Sequence, residues 1–142
     1  MAFRVLVAGG RHFSDYPLLR ATLDALLANR LPDVEVLTPG GPGVSMLAAS
    51  YAAERGLSVA ALVPDFGRYP AVAAVDRRDA ELVAIAEAAL IVWDERDSIV
   101  RRTRSLVEVK GIPVHVIGGD IPRAKVKRTA PPEVESRRGL PD

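Results

Sequence analysis

Short apolar runs recur along the chain, separated by polar, Gly- and Pro-bearing breaks. FRVLVAGG at 3–10, VEVL at 34–37, SVAALV at 58–63, AALIVW at 88–93 and IPVHVI at 112–117 are close to continuously hydrophobic. That reads as parallel strands buried on both faces, since a half-exposed strand would alternate. Between the runs the spacing turns helical. Leu19, Leu23, Leu26 and Leu27 fall on one face, as do Leu47 and Tyr51 in the next segment, and Ile99, Thr103, Leu106, Val107 and Lys110 in the last. The segment from about Val72 to Glu87 is so rich in alanine that its propensity for helix is strong and its facing weak. Strand and helix therefore alternate from end to end. This pattern predicts an α/β chain with a Rossmann-like, three-layer sandwich: a parallel five-stranded sheet with helices on both faces, joined by right-handed crossovers.

Capping signals support those helices. Ser14 and Asp15 precede YPLLRATLDALL, where Pro17 is tolerated in the first turn, and Asp97 and Ser98 precede IVRRTRSLVEV. Gly56 and Gly111 are placed to end the second and fourth helices in the left-handed conformation. Past residue 118 the periodicity stops. The sequence divides into a folded unit over 1–118 and a Pro-rich, basic tail over 119–142, expected to be mobile or to reach onto a partner subunit.

Composition narrows the function classes. With 142 residues, 49% of them hydrophobic and 26% charged, the chain has the make-up of one globular unit. No apolar run approaches the roughly 20 residues that span a bilayer. MAFRVLVAGG runs into a strand too soon for a signal sequence, so a cytoplasmic location and no membrane partner are expected. There is no cysteine, hence no disulfide framework and no thiolate chemistry. Residues 1–119 hold 13 basic and 14 acidic side chains, against 6 and 4 in residues 120–142. A nearly neutral body is poorly suited to nucleic acid. His12 and His115 are the only histidines. A histidine triad or a metal site is not expected, and no carboxylate pair is placed for glycoside chemistry.

In a sheet of this kind ligands sit beyond the carboxyl ends of the strands, so the loops after the strands carry the candidate chemistry. Gly9, Gly10 and Arg11 follow the first strand, where glycines allow a sharp turn and Arg11 offers a planar fork of donors to phosphate or carboxylate. The second loop, TPGGPGVS, has Gly40, Gly41 and Gly43 ahead of a helix starting near Val44, with the Ser45 hydroxyl close by. Bare amides and the positive end of the helix dipole there would stabilise an anion. The loop lacks the Lys-Ser/Thr of a Walker motif and the spacing of the dinucleotide fingerprint. Of the adjacent Arg77 and Arg78, one at most can face the site, the other being solvated. Asp94 is placed either to take a ribose hydroxyl or to cap the next helix. Arg101, Arg102 and Arg104 read as an exposed basic face.

Together these residues resemble a known family. GGRHFSD after the first strand, GGPGVSMLAASYAAERGL after the second, then PDFGRY, Arg77-Arg78 and ALIVW look like the YspA-like (YpsA-related) branch of the SLOG superfamily, distantly related to the Lonely Guy phosphoribohydrolases and to DprA/Smf. The resemblance implies a nucleotide or ADP-ribose-like ligand held by the glycine loops, with no other cofactor. By matched motif it implies binding roles for Gly9, Gly10, Arg11, Gly40, Gly41, Gly43 and Arg77, and by a loose match for Thr103; Ser45 and Asp94 join them from the reading of the loops. It also implies a homo-oligomer, for which the Leu/Ala-rich third and fourth helices could supply a two-fold interface. Ser45 stands where the branch usually has Asp, and Arg78 where it has Asn. DERDSIVRRT lacks the Pro-Gly-Gly-x-Gly-Thr-x-x-Glu pattern, and Leu106 occupies the spacing of the hydrolases' glutamate. Binding without catalysis is therefore expected. The alternatives are a nucleoside 5'-monophosphate phosphoribohydrolase using Asp94 or Glu95 with Arg77, and a DprA-like DNA-processing protein.

Overall fold

The computed structural model describes residues 2–118. The segment 119–142, expected to be a tail, lies outside the described residues.

Strands β1 (Phe3–Gly9), β2 (Val34–Thr38), β3 (Ser58–Ala61), β4 (Ala88–Val92) and β5 (Val114–Ile117) alternate with helices α1 (Tyr16–Leu26), α2 (Val44–Arg55), α3 (Ala71–Ile85) and α4 (Ser98–Lys110). All pairings are parallel, and the sheet runs β3-β2-β1-β4-β5. The chain thus winds outward from β1 to one edge and then returns to build the other half, the Rossmann-like arrangement that the alternation predicts.

The two-residue strand period sorts the core into two layers. Val5 pairs with Val36, and Val7 with Leu90, on the face covered by α1 and α2. Leu6 pairs with Leu37, and Ala8 with Ile91, on the face covered by α3 and α4. Both faces are covered from Val5 to Ala8, which is why that stretch of β1 is apolar without alternation.

The caps form as the residues dictate. Asp15 accepts from the Leu18 amide at 3.1 Å, and Asp97 accepts from the Ile99 and Val100 amides at 2.9 and 3.3 Å. Gly56 and Gly111 close α2 and α4 at φ 69° and 83°. The helix faces differ from the pattern in two places. Leu26 is 45% exposed and Ile99 37% exposed, because the stripes that meet the sheet are narrower than the spacing allowed. Leu19, Leu23 and Leu27 occupy the one, and Val100, Thr103 and Val107 the other. No helix among the described residues is long and apolar enough to cross a membrane.

Candidate functional site

The loops after β1 and β2 are pressed together, and close packing in this corner explains two of the glycines. A Cβ on Gly9 would lie 2.6 Å from the Val92 carbonyl oxygen and 2.8 Å from Val44 Cγ2, so β4 and α2 leave it no room. A Cβ on Gly43 would lie 2.4 Å from the Gly10 oxygen and 2.5 Å from the Arg11 carbonyl. Gly43 also has φ 75° and ψ −128°, a region open essentially to glycine alone. Gly40 and Gly41 have φ 83° and 96°, and a Cβ on Gly41 would meet nothing within 4 Å. These two shape the loop; Gly9 and Gly43 admit its neighbours.

The amides at the mouth of α2 divide in the same way. Gly40 N donates to Thr38 Oγ1 at 3.2 Å, and Val44 N to the Gly10 carbonyl at 3.3 Å. The amides of Gly41, Gly43, Ser45 and Met46 have no acceptor among the described residues, and the N-cap glycine brings no side chain to them. A backbone N–H without a protein partner takes water or a ligand. Ser45 is buried in the first turn of α2, while Arg11 is exposed and makes no ion pair among the described residues.

Of the two adjacent arginines, Arg78 turns inward. Its Nε donates to Asp79 Oδ1 at 2.7 Å, and NH1 donates to the carbonyls of Pro39 at 3.0 Å and Leu62 at 3.4 Å. Burial raises the Asp79 carboxyl above the usual carboxylate range, and the Arg78 guanidinium opposes that rise. Arg77 is exposed, with its guanidinium 4.6 Å from the centre of the Tyr69 ring. Both line a cavity of about 200 Å³ together with Asp65, Arg68, Tyr69 and Glu81. Sequence reasoning placed Arg77 in the site and missed Asp79 and the inward turn of Arg78. Ala74, Arg78 and Leu82 are spaced by four and share one face of α3, but the alanine-rich sequence does not mark that face as the buried one.

After β4, Asp94 Oδ1 accepts from the Arg96 amide at 3.0 Å, while Oδ2 lies 3.1 Å from where a Cβ on Gly10 would be. The helix cap is Asp97, so Asp94 keeps one oxygen beside the first glycine loop. Glu95 is exposed and contributes its carbonyl oxygen to Arg101. Thr103 is not in a loop: it lies within α4, 4% exposed. The arginines of α4 are tied rather than free on a basic face. Arg102 pairs with Asp76 at 2.8 Å, and Arg104 pairs with Glu108 and lies over Trp93. No group of three His, Cys, Asp or Glu residues able to hold a metal occurs among the described residues.

Residues 3–69 match the model of the YspA, cpYpsA-related SLOG family. Over that stretch, from β1 through the loop after β3, the chain is similar to this family. The match runs from β1 to the loop that carries Tyr69 and so includes both glycine loops. No curated protein matches the chain. Among solved structures it is similar to DNA processing protein A (DprA) from Streptococcus pneumoniae, with a TM-score of 0.66 and 14% sequence identity over 84% of this chain and 52% of that one. The likeness to DprA is one of fold, and the chain spans about half of DprA's length. Arg78, Asp79, Asp94 and Thr103 all lie beyond the span matched by the SLOG family model.

Proposed function

We propose that this protein binds a nucleotide or nucleotide-derived ligand of the ADP-ribose type, with its phosphate at the mouth of α2. One observation carries the reading: the amides of Gly41, Gly43, Ser45 and Met46 have no acceptor among the described residues, at the positive end of a helix of 12 residues. Arg11, exposed on the adjoining loop and without an ion pair among the described residues, supplies a cation to the same anion. Arg77 stands farther along, on the wall of the cavity beside Tyr69. Ser45 offers a hydroxyl in the first turn, and the free oxygen of Asp94 suits a ribose hydroxyl approaching Gly10.

The test is a thermal-shift titration with AMP, ADP and ADP-ribose. Stabilisation should grow with ligand concentration, reaching about 2.7 kcal/mol at a hundredfold excess over Kd. Arg11→Ala should weaken phosphate-bearing ligands by about tenfold, the size of one charge-assisted hydrogen bond, and leave the fold intact. If none of the three ligands raises the melting temperature, the proposal is wrong. A hydrolase reading keeps one specific support, the Asp94 carboxylate at the loop junction. Incubation with AMP and chromatography for free adenine decides it, and we expect none.

A further inference from the structure

Arg78 is 8% exposed and Asp79 1% exposed. Two charges held this far from water cost stability unless they are paired and hydrogen-bonded. Arg78 is so paired, but only one of its partners is a charge. The others are the main-chain carbonyls of Pro39, directly before Gly40, and of Leu62, just after β3. The same corner is closed from the strand side. Leu62 N donates to the Thr38 carbonyl at 3.1 Å, and the Thr38 hydroxyl accepts from Gly40 N.

The root of the glycine loop is therefore fixed by a side chain from a different crossover, whereas beyond that root Gly41 has open space around it. Gly40, Gly41 and Gly43, all at positive φ, bring no side chains of their own to hold the loop in that shape. We infer that Arg78, oriented by Asp79, is the positioning residue of the glycine loop, setting the direction in which the bare amides face. This deepens the ligand reading above and rests on the same site. The planar fork explains the residue type, since it meets a carboxylate through Nε while its NH1 lies against two carbonyls. Arg78 and Asp79 also balance each other's charge, so the pair acts on an anion through geometry and adds little net attraction.

Nitrogen-15 relaxation on the ligand-free full chain tests the inference. In Arg78→Met the order parameters of Gly40 and Gly41 should fall below about 0.6, while those of β1 stay near about 0.85. Arg78→Lys, which keeps the charge and loses the fork, should give intermediate values, and it serves in place of the Met variant if that variant does not fold. Unchanged order parameters at both glycines, or an equal fall in β1, would overturn the inference. A second arm measures inorganic pyrophosphate binding by calorimetry at several salt concentrations. If the wild-type protein does not bind pyrophosphate, the phosphate reading of the site fails, and the relaxation data still decide the role of Arg78. If it binds, Arg78→Lys, which keeps the charge of the pair and loses the fork, should weaken it by several-fold as the competent fraction of the loop falls, with the salt dependence unchanged. Unchanged affinity, or a loss that tracks salt as a direct charge contact does, goes against the positioning role.

Discussion

At the residue scale the glycines do different work in the same short motif. Gly41→Ala meets only a backbone penalty, because the space around its Cβ is open. Its cost should be about 1–2 kcal/mol. Gly43→Ala meets the backbone penalty and a clash with the Gly10 and Arg11 main chain as well. It should cost about 3 kcal/mol or more. Urea unfolding of the two variants checks the order, and equal losses would mean that the close approach of the two loops is not a constraint. The sequence marks both positions as glycine but cannot tell them apart. A contact across 33 positions of chain decides which is crowded. The same limit explains Arg77 and Arg78: their adjacency rules out a shared face, and only packing against β3 and the loop after β2 selects Arg78.

At the scale of elements, two joints hold helices to each other. Lys110, at the last position of α4, donates through Nζ to the carbonyls of Val83, Ala84 and Ala86 at 2.7–2.8 Å. It neutralises the carbonyl end of α3, which has no basic residue in its own last turn. Lys110→Met should cost about 1–3 kcal/mol in chemical denaturation, the range for a charge-assisted contact whose acceptors are left behind. The second joint links α1 to α2. Tyr51 Oη donates to Asp24 Oδ1 at 2.7 Å, and Arg55 donates to both Asp24 oxygens. The Arg55 hydrogen bonds, followed by that of Tyr51, hold the Asp24 carboxyl below the usual carboxylate range. A carboxyl depressed in the folded state stabilises the fold above its unfolded pKa, about 3.9, and that contribution is lost as pH falls through the folded value. Urea midpoints should therefore decline below about pH 4, and Asp24→Asn should flatten that acid limb. A limb as steep in the variant as in the wild type would assign the acid loss elsewhere. Asp79 has the opposite sign, since its carboxyl is raised: its cost is complete above the folded pKa and is relieved as pH falls through it.

For the whole molecule, the open question is self-association. Ile85 is 44% exposed at the end of α3 and Val109 88% exposed at the end of α4. The contacts of Lys110 with Ala84 and Ala86 bring these two ends together. A two-fold interface on that layer would cover both side chains. Sedimentation velocity is expected to give an oligomer that the double substitution Ile85→Glu, Val109→Glu converts to monomer. A wild-type monomer at tens of micromolar, well above common dissociation constants, would exclude this interface. Taken by itself, the sequence determines the class of fold, the number and order of elements, their caps and the presence of glycine loops at the strand ends. Those follow from local periodicity and local backbone preference, which a linear chain displays directly. Tertiary structure alone decides which glycines are crowded, which amides at the mouth of α2 lack an acceptor among the described residues, and which arginine enters the interior. Each depends on groups from separate crossovers meeting across the sheet, and no spacing along the chain encodes that meeting.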